Sequence, residues 1–176
     1  MAENENKKQE KKENPMKNIE IEKIVLGIGG TGDYLEKGTK LLQLLTNKKP
    51  SRRKTNKRIP SLSVRPKLEV GSIVTVRKGK EKLLQRLLAA VNNNLKKSQV
   101  SENTFSFGIE EYIEIPGIEY QRDIGMMGLD VTVVFKRPGK RITLKKRKKG
   151  KIPKRHKISP GEIIKFMRDK FQVKFE

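Results

Sequence analysis

Apolar residues along this chain switch between two spacings, and the switches divide it into elements. Ile19 and Ile21 alternate with glutamates and lead into Ile24-Val25-Leu26, a period-two pattern that predicts a strand entering a core. Glycines at 27, 29, 30 and 32 are read as ending it. Asp33 is placed to cap a following helix. The apolar positions of that helix, Tyr34, Leu41, Leu42 and Leu45, keep helical spacing, although Gly38 in its middle costs about 1 kcal/mol. From Lys48 to Val70, prolines, basic residues and isolated apolar positions at Ile59, Leu62 and Val64 predict strands joined by an exposed loop. Ser72 to Arg77 reads as a strand with Val74 and Val76 on one face and Ile73, Thr75 and Arg77 on the other.

The second half repeats the alternation of periods. Between Lys80 and Leu95, Leu83, Leu84, Leu87, Leu88, Val91 and Leu95 make a continuous stripe, which predicts a helix over that whole span. Phe105 to Ile115 and Leu129 to Phe135 alternate as strands, with a glycine-rich connection from Gly117 to Gly128. Ser159, Pro160 and Glu162 form the signature of a capped helix start, and Ile163, Ile164, Met167 and Phe171 give that helix its buried face. Strands clustered between helices predict an α+β fold with helices packed on one face of a sheet. Met1 to Asn14 has too little apolar surface to offset the entropy of ordering, so residues 1–14 are expected to form a polar, disordered tail ahead of one domain, 15–176.

Charge changes the picture. The chain has 42 Lys and Arg against 20 Asp and Glu, a formal net charge of +22. Nine of the basic residues lie between Lys48 and Lys67 and eleven between Lys140 and Lys157, with no acidic residue in either stretch, so the rest is close to balanced. Two cationic segments separated by a balanced body repel each other unless a polyanion neutralises them, which points to RNA or DNA. Phosphate contacts do not distinguish the two. With no Trp and only nine aromatic residues, base stacking is not the main mode of binding expected. The lack of cysteine excludes disulfides and thiolate chemistry. No apolar run approaches the roughly 20 residues that span a bilayer, and Met1 to Lys17 lacks the apolar centre of a signal peptide, so no membrane association is expected.

Catalytic readings are weak. Gly27-x-Gly29-x-x-Gly32 has the local context of a dinucleotide fingerprint, but about 20 positions on, where an acidic residue should bind a ribose, the chain reads Pro50-Ser51-Arg52-Arg53-Lys54. A tight strand-to-helix turn is the simpler account. His156 stands between Arg155 and Lys157 with no acidic partner near in sequence. Glu110 and Glu114 on a strand share a face with Tyr112 while Glu111 points away, which suits a solvated face better than a site. No cofactor or metal is expected. Two rivals to a structural RNA-binding protein stay in view: a nucleotide-dependent RNA-modifying enzyme using the glycine turn, and a non-specific nucleic-acid chaperone.

Several strings together resemble the universal large-subunit ribosomal protein five family, called eleven in eukaryotes, in its archaeal form. They are Ile21-Glu22-Lys23-Ile24-Val25-Leu26 with the glycine turn, Val74-Thr75-Val76-Arg77-Lys78-Gly79, Phe105-Ser106-Phe107-Gly108-Ile109-Glu110-Glu111, Ile115-Pro116-Gly117 and Gly125-Met126-Met127-Gly128-Leu129-Asp130. The run Lys151-Ile152-Pro153-Lys154-Arg155-His156 before the last helix resembles the archaeal branch. The resemblance covers about Asn14 to the end.

This resemblance implies a five-stranded antiparallel sheet with helices on one face, a basic loop and a basic extension, in a non-enzymatic, ribosome-bound cytoplasmic protein. It implies 5S rRNA on the open sheet face, with Lys23, Lys48, Lys49, Arg52, Thr75 and Arg77 as its contacts. It further implies a loop, about Thr55 to Gly71, that reaches peptidyl-site tRNA through Lys57, Arg58, Arg65 and Lys67. Large-subunit rRNA would meet Lys145, Lys146, Arg147, Lys148, Lys149, Lys151, Lys154 and Arg155. Neighbouring ribosomal proteins, including those of the small-subunit head, complete the implied partners in the central protuberance. The chain departs from the family where an asparagine is common before the glycine turn, here Gly27, and where Gly-Gln-Lys-Pro is common, here Asn47-Lys48-Lys49-Pro50. A lysine there exchanges a directional hydrogen bond for a phosphate contact.

Overall fold

The computed structural model describes residues 14–176, so the expected tail lies outside the described residues except for Asn14. Strand β1 (Glu20–Gly29) is followed by helix α1 (Asp33–Thr46), then β2 (Ser51–Lys54), β3 (Glu69–Val76) and helix α2 (Lys80–Ala90). Short β4 (Asn94–Leu95) and β5 (Val100–Ser101) lead to β6 (Thr104–Ile109) and β7 (Leu129–Lys136). A single helical turn, α3 (Arg141–Leu144), helix α4 (Pro160–Phe171) and β8 (Lys174–Phe175) close the chain. The main sheet runs in the order β2-β3-β1-β7-β6-β5, antiparallel throughout. The α+β class holds, and the sheet carries six strands, the sixth being the two-residue arm of a tight hairpin in which Val100 pairs with Phe105. Among the described residues no helix is long and apolar enough to cross a membrane.

Strand alternation sorts the sheet into a dry face and an open one. Ile24, Leu26 and Ile28 of β1, Val74 and Val76 of β3, Val131, Val133 and Phe135 of β7, and Phe105, Phe107 and Ile109 of β6 are all buried. They join one core with Leu41, Leu42 and Leu45 of α1, the leucines of α2, and Ile163, Met167 and Phe171 of α4. Gly38 is what lets α1 lie this close: a Cβ there would stand 2.8 Å from Cγ2 of Ile28. The helix-propensity cost of that glycine is offset by the packing it permits.

Four local expectations are corrected. Gly27 does not end β1, because it pairs with both Ile73 and Asp130; the strand runs on to Gly29, which pairs with Gly71. Asp33 is not the cap of α1. Gly32, at φ 57°, takes that position and Asp33 opens the first turn, with Leu35 buried where Tyr34 was expected and Tyr34 left 45% exposed. Helix α2 stops at Ala90 rather than Leu95, since Asn92 and Asn93 adopt positive φ and Leu95 pairs with Phe175 in a second, two-stranded sheet. The strand from Phe105 ends at Ile109, after which Tyr112–Glu114 turn sharply and Tyr112 is fully buried, its hydroxyl accepting from the Gln121 N–H at 3.0 Å. The strand-face arrangement expected of Glu110, Glu111 and Glu114 therefore does not form.

Candidate nucleic-acid interface

Register assembles the open face. Thr75 of β3 is opposite Val25, Val25 is opposite Thr132, and Thr132 is opposite Ser106, so three hydroxyl side chains and one valine cross four strands in one row. The next row is Ile73, Gly27, Asp130 and Gly108. On the other side lie Lys23, Val134 and Thr104, with Arg77 just beyond the end of β3, next to Lys23 by continuation of the Ile24 and Val76 pairing. No strand position on this surface carries an aromatic ring. Small hydroxyl side chains leave hydrogen-bonding groups within reach of a helix laid across them.

The six residues expected to meet 5S rRNA are placed unequally. Lys23, Thr75 and Arg77 come together at one end of the open face. Lys48 and Lys49 are exposed just ahead of β2, whose first residue is opposite Ile73, so they reach the sheet edge on the Thr75 side. Arg52 is opposite the buried Ser72 and therefore shares the helix side of the sheet. There its Nη1 donates to Oε2 of Glu69 at 3.0 Å, with Lys54 3.6 Å from the other oxygen. The Arg52 hydrogen bond holds the Glu69 carboxyl below the usual carboxylate range. Arg53, opposite Gly71, stands on the open face instead. Sequence reasoning missed Arg53, Thr132 and Ser106. Alternation assigns faces within a strand, but only the inter-strand register shows that these residues share the face of Thr75.

The loop from Thr55 to Leu68 is a stitched hairpin with its charges outward. Ile59 and Val64 exchange backbone hydrogen bonds, the Lys67 N–H donates to the Thr55 carbonyl at 2.7 Å, and the Thr55 hydroxyl donates to the Arg65 carbonyl at 2.8 Å. Lys57, Arg58, Arg65 and Lys67 are exposed, and none has a carboxylate partner among the described residues.

The second basic segment is fastened at its ends and free in its middle. Lys136 pairs with Glu20 at 3.4 Å, Arg137 with Glu162 at 2.7 Å, Lys157 with Glu102 at 2.6 Å, and Lys140 with Glu22. Lys157 holds the Glu102 carboxyl below its usual range. Nε2 of His156 lies 2.8 Å from the Pro138 carbonyl. A carbonyl only accepts, so Nε2 carries the proton and the ring serves as a structural pin. Between these anchors Lys145, Lys146, Arg147, Lys148, Lys149, Lys151, Lys154 and Arg155 are exposed and without carboxylate partners among the described residues. The two segments leave opposite ends of the strands: the loop starts where Lys54 meets Glu69, beside Gly71 and Gly29, and the extension starts where Lys136 meets Glu20.

An open hydroxyl-bearing face between two unpaired cationic arms defines an RNA-binding scaffold protein. Residues 69–166 match the C-terminus of the ribosomal protein L5 family. The chain is similar to large ribosomal subunit protein uL5 of Nanoarchaeum equitans, at 39% identity over 165 residues, 92% of this chain and 98% of that one. It is similar also to uL5 of Sulfolobus acidocaldarius, at 39% over 93% of this chain and 94% of the relative, and of Methanobrevibacter smithii, at 33% over 92% and 98%. The chain belongs to this family of ribosomal proteins, with the archaeal resemblance borne out, and it is a structural protein rather than an enzyme. Gly27-x-Gly29-x-x-Gly32 accordingly forms no dinucleotide loop: Gly27 and Gly29 are strand residues and Gly32 begins a helix.

Proposed function

We propose that this chain is a ribosome-bound constituent of the large subunit in which residues 15–176 act as one RNA-binding unit, holding 5S rRNA on the open sheet face in the central protuberance. The row of Thr75, Val25, Thr132 and Ser106, flanked by Lys23, Arg53 and Arg77, carries this reading. A-form RNA offers 2′-hydroxyls along a wide, shallow minor groove, which a face of short hydroxyl side chains meets without needing aromatic platforms. Lys48 and Lys49 extend that contact at the sheet edge, and Arg52 supports it through Glu69. The exposed run from Lys145 to Arg155 neutralises large-subunit rRNA. Lys57, Arg58, Arg65 and Lys67, at the far end of the strands, reach toward peptidyl-site tRNA and the small-subunit head.

The test is binding of the full chain to its own 5S rRNA against an unrelated structured RNA of equal length at the same salt concentration. A preference of about 1,000-fold or more is expected, the lower end of the range that separates specific from non-specific nucleic-acid binding. Equal affinities would favour a non-specific chaperone held to RNA by charge alone.

A further inference from the structure

At the loop end of the open face, where β1, β6 and β7 run out beside α1, lies an open concavity of about 470 Å³. Tyr34 lines one side, the backbones of Gly27, Gly29 and Gly108 lie along it, and Asp130 and Glu110 are on its rim. The Tyr34 ring packs on Gly30, where a Cβ would collide with it, so its position is set by backbone even though much of the ring is open to solvent. Oδ1 of Asp130 lies over Gly108, 3.7 Å from where a Cβ there would be. Among the described residues Asp130 and Glu110 have no cationic partner and no hydrogen-bond donor. Fixed aromatic ring, oriented carboxylate and room beside them are thus brought together on an acidic part of the open face.

A phosphate does not suit this place, because two unpaired carboxylates repel it. A nucleobase does. Its flat face matches a tyrosine ring, and a carboxylate accepts from base N–H groups but gives nothing back. Guanine alone presents two adjacent donors, N1–H and the 2-amino group, to the two oxygens of one carboxylate. Uracil offers one donor between two carbonyls, and adenine and cytosine offer one amino group beside an acceptor nitrogen. Gly27 and Gly29 have ordinary strand φ angles, and a Cβ on either would meet nothing closer than 4.0 Å. The backbone therefore does not require glycine at either position, and a closely approaching ring is a reason for the missing side chains.

We propose that this concavity takes a single unstacked guanine base of RNA, stacked against Tyr34 and read by Asp130. The inference rests on the reading that the open face meets RNA, and it adds a base-specific site to a surface otherwise suited to backbone and shape. Its test uses the full chain and labelled nine-residue single-stranded RNAs, all uridine except for a central guanosine, adenosine, cytidine or inosine. Phosphates are identical in all, so the differences isolate the base. The guanosine oligomer is expected to bind about tenfold more tightly than all-uridine, with inosine, which lacks the 2-amino group, in between. Asp130→Asn, Tyr34→Leu and Gly27→Val should each bring the guanosine-to-uridine ratio close to one. Asp130 is exposed on its strand, so that variant keeps the test valid should Tyr34→Leu disturb α1. Equal binding of all oligomers, or a guanosine preference that survives Asp130→Asn, overturns the proposal. Selective 5S rRNA binding without guanosine preference removes this site alone, whereas guanosine preference without 5S selectivity removes the broader functional reading and leaves the site.

Discussion

Arg137 donates from Nη2 to Oε1 of Glu162 at 2.7 Å, joining the root of the basic extension to the first turn of the helix 25 residues further on. Glu162 also closes the capping box, accepting from the backbone N–H of Ser159 at 2.9 Å. One carboxylate thus caps a helix end and pairs with an arginine that is only 8% exposed. The Ser159 backbone N–H, more than the Ser159 hydroxyl and Arg137, holds its carboxyl below the ordinary 4.5, against the opposing effect of partial burial.

A carboxyl depressed in the folded state contributes stability that is complete above its unfolded pKa and is lost as pH falls through the lower folded value. Glu162→Gln should therefore lower stability by about 1–2 kcal/mol at neutral pH, less than a fully buried pair because Glu162 is half open to water. It should change little at low pH, where the wild-type carboxyl is already protonated. Melting temperature followed from pH 7 to pH 3 checks this: the two curves are expected to converge on the acid side, and a constant gap would show that Glu162 acts by shape alone.

Thr75→Val preserves volume and strand propensity while deleting one hydroxyl from the open face. The fold should be unaffected, and 5S rRNA affinity should fall by about 1 kcal/mol for the lost hydrogen bond. Unchanged affinity at unchanged melting temperature would take Thr75 out of the interface.

Neutralising Lys145, Lys146, Arg147, Lys148 and Lys149 together should flatten the salt dependence of rRNA binding. Each phosphate that no longer meets a cation takes about 0.7 to 0.9 off the log–log slope. Titrations of 5S rRNA and of large-subunit rRNA at several salt concentrations identify which RNA the run meets, and an unchanged slope on both would mean that it meets neither.

Replacing Arg58, Arg65 and Lys67 by alanine removes exposed charges from a loop whose stitching is backbone and Thr55 hydroxyl, at a cost to stability of no more than about 0.5 kcal/mol per site. Ribosomes carrying the variant should keep their 5S rRNA and hold peptidyl-site tRNA more weakly, as read by 5S content of purified subunits and by filter retention of tRNA. Depleted 5S rRNA with normal tRNA retention would make this loop an anchor instead.

Where local chemistry decides structure, the chain was readable. Ser159, Pro160 and Glu162 start α4 as their spacing predicts, and the alternation of Val74 and Val76 with Ile73 and Thr75 assigns the faces of β3. Where a distant partner decides, it was not. Leu95 continues the α2 stripe by spacing, yet it is claimed by Phe175 across the fold. Gly27 looks like a strand terminator until Ile73 and Asp130 pair with it from both sides. The site shows the same division. Its charges are visible as two runs, whereas the meeting of Thr75, Thr132 and Ser106, and the opposite facing of Arg52 and Arg53, depend on register.

Because the loop joins the sheet at the start of β3 and the extension leaves it at the end of β7, a pull that draws these two arms apart acts along the strands. It slides β3 and β7 in opposite directions past β1, which lies between them. The ladder hydrogen bonds lie across that direction, so those of the six registered pairs on one side of β1 and the seven on the other bear load at once. They do not open one after another. Were both arms held by RNA at points separated by about 30 Å, the length of a ten-residue strand, this sheet would be oriented to resist tension as a tie rod does. Motion imposed on the loop would then be passed to the far anchor as displacement of a rigid body, with little give in the sheet between.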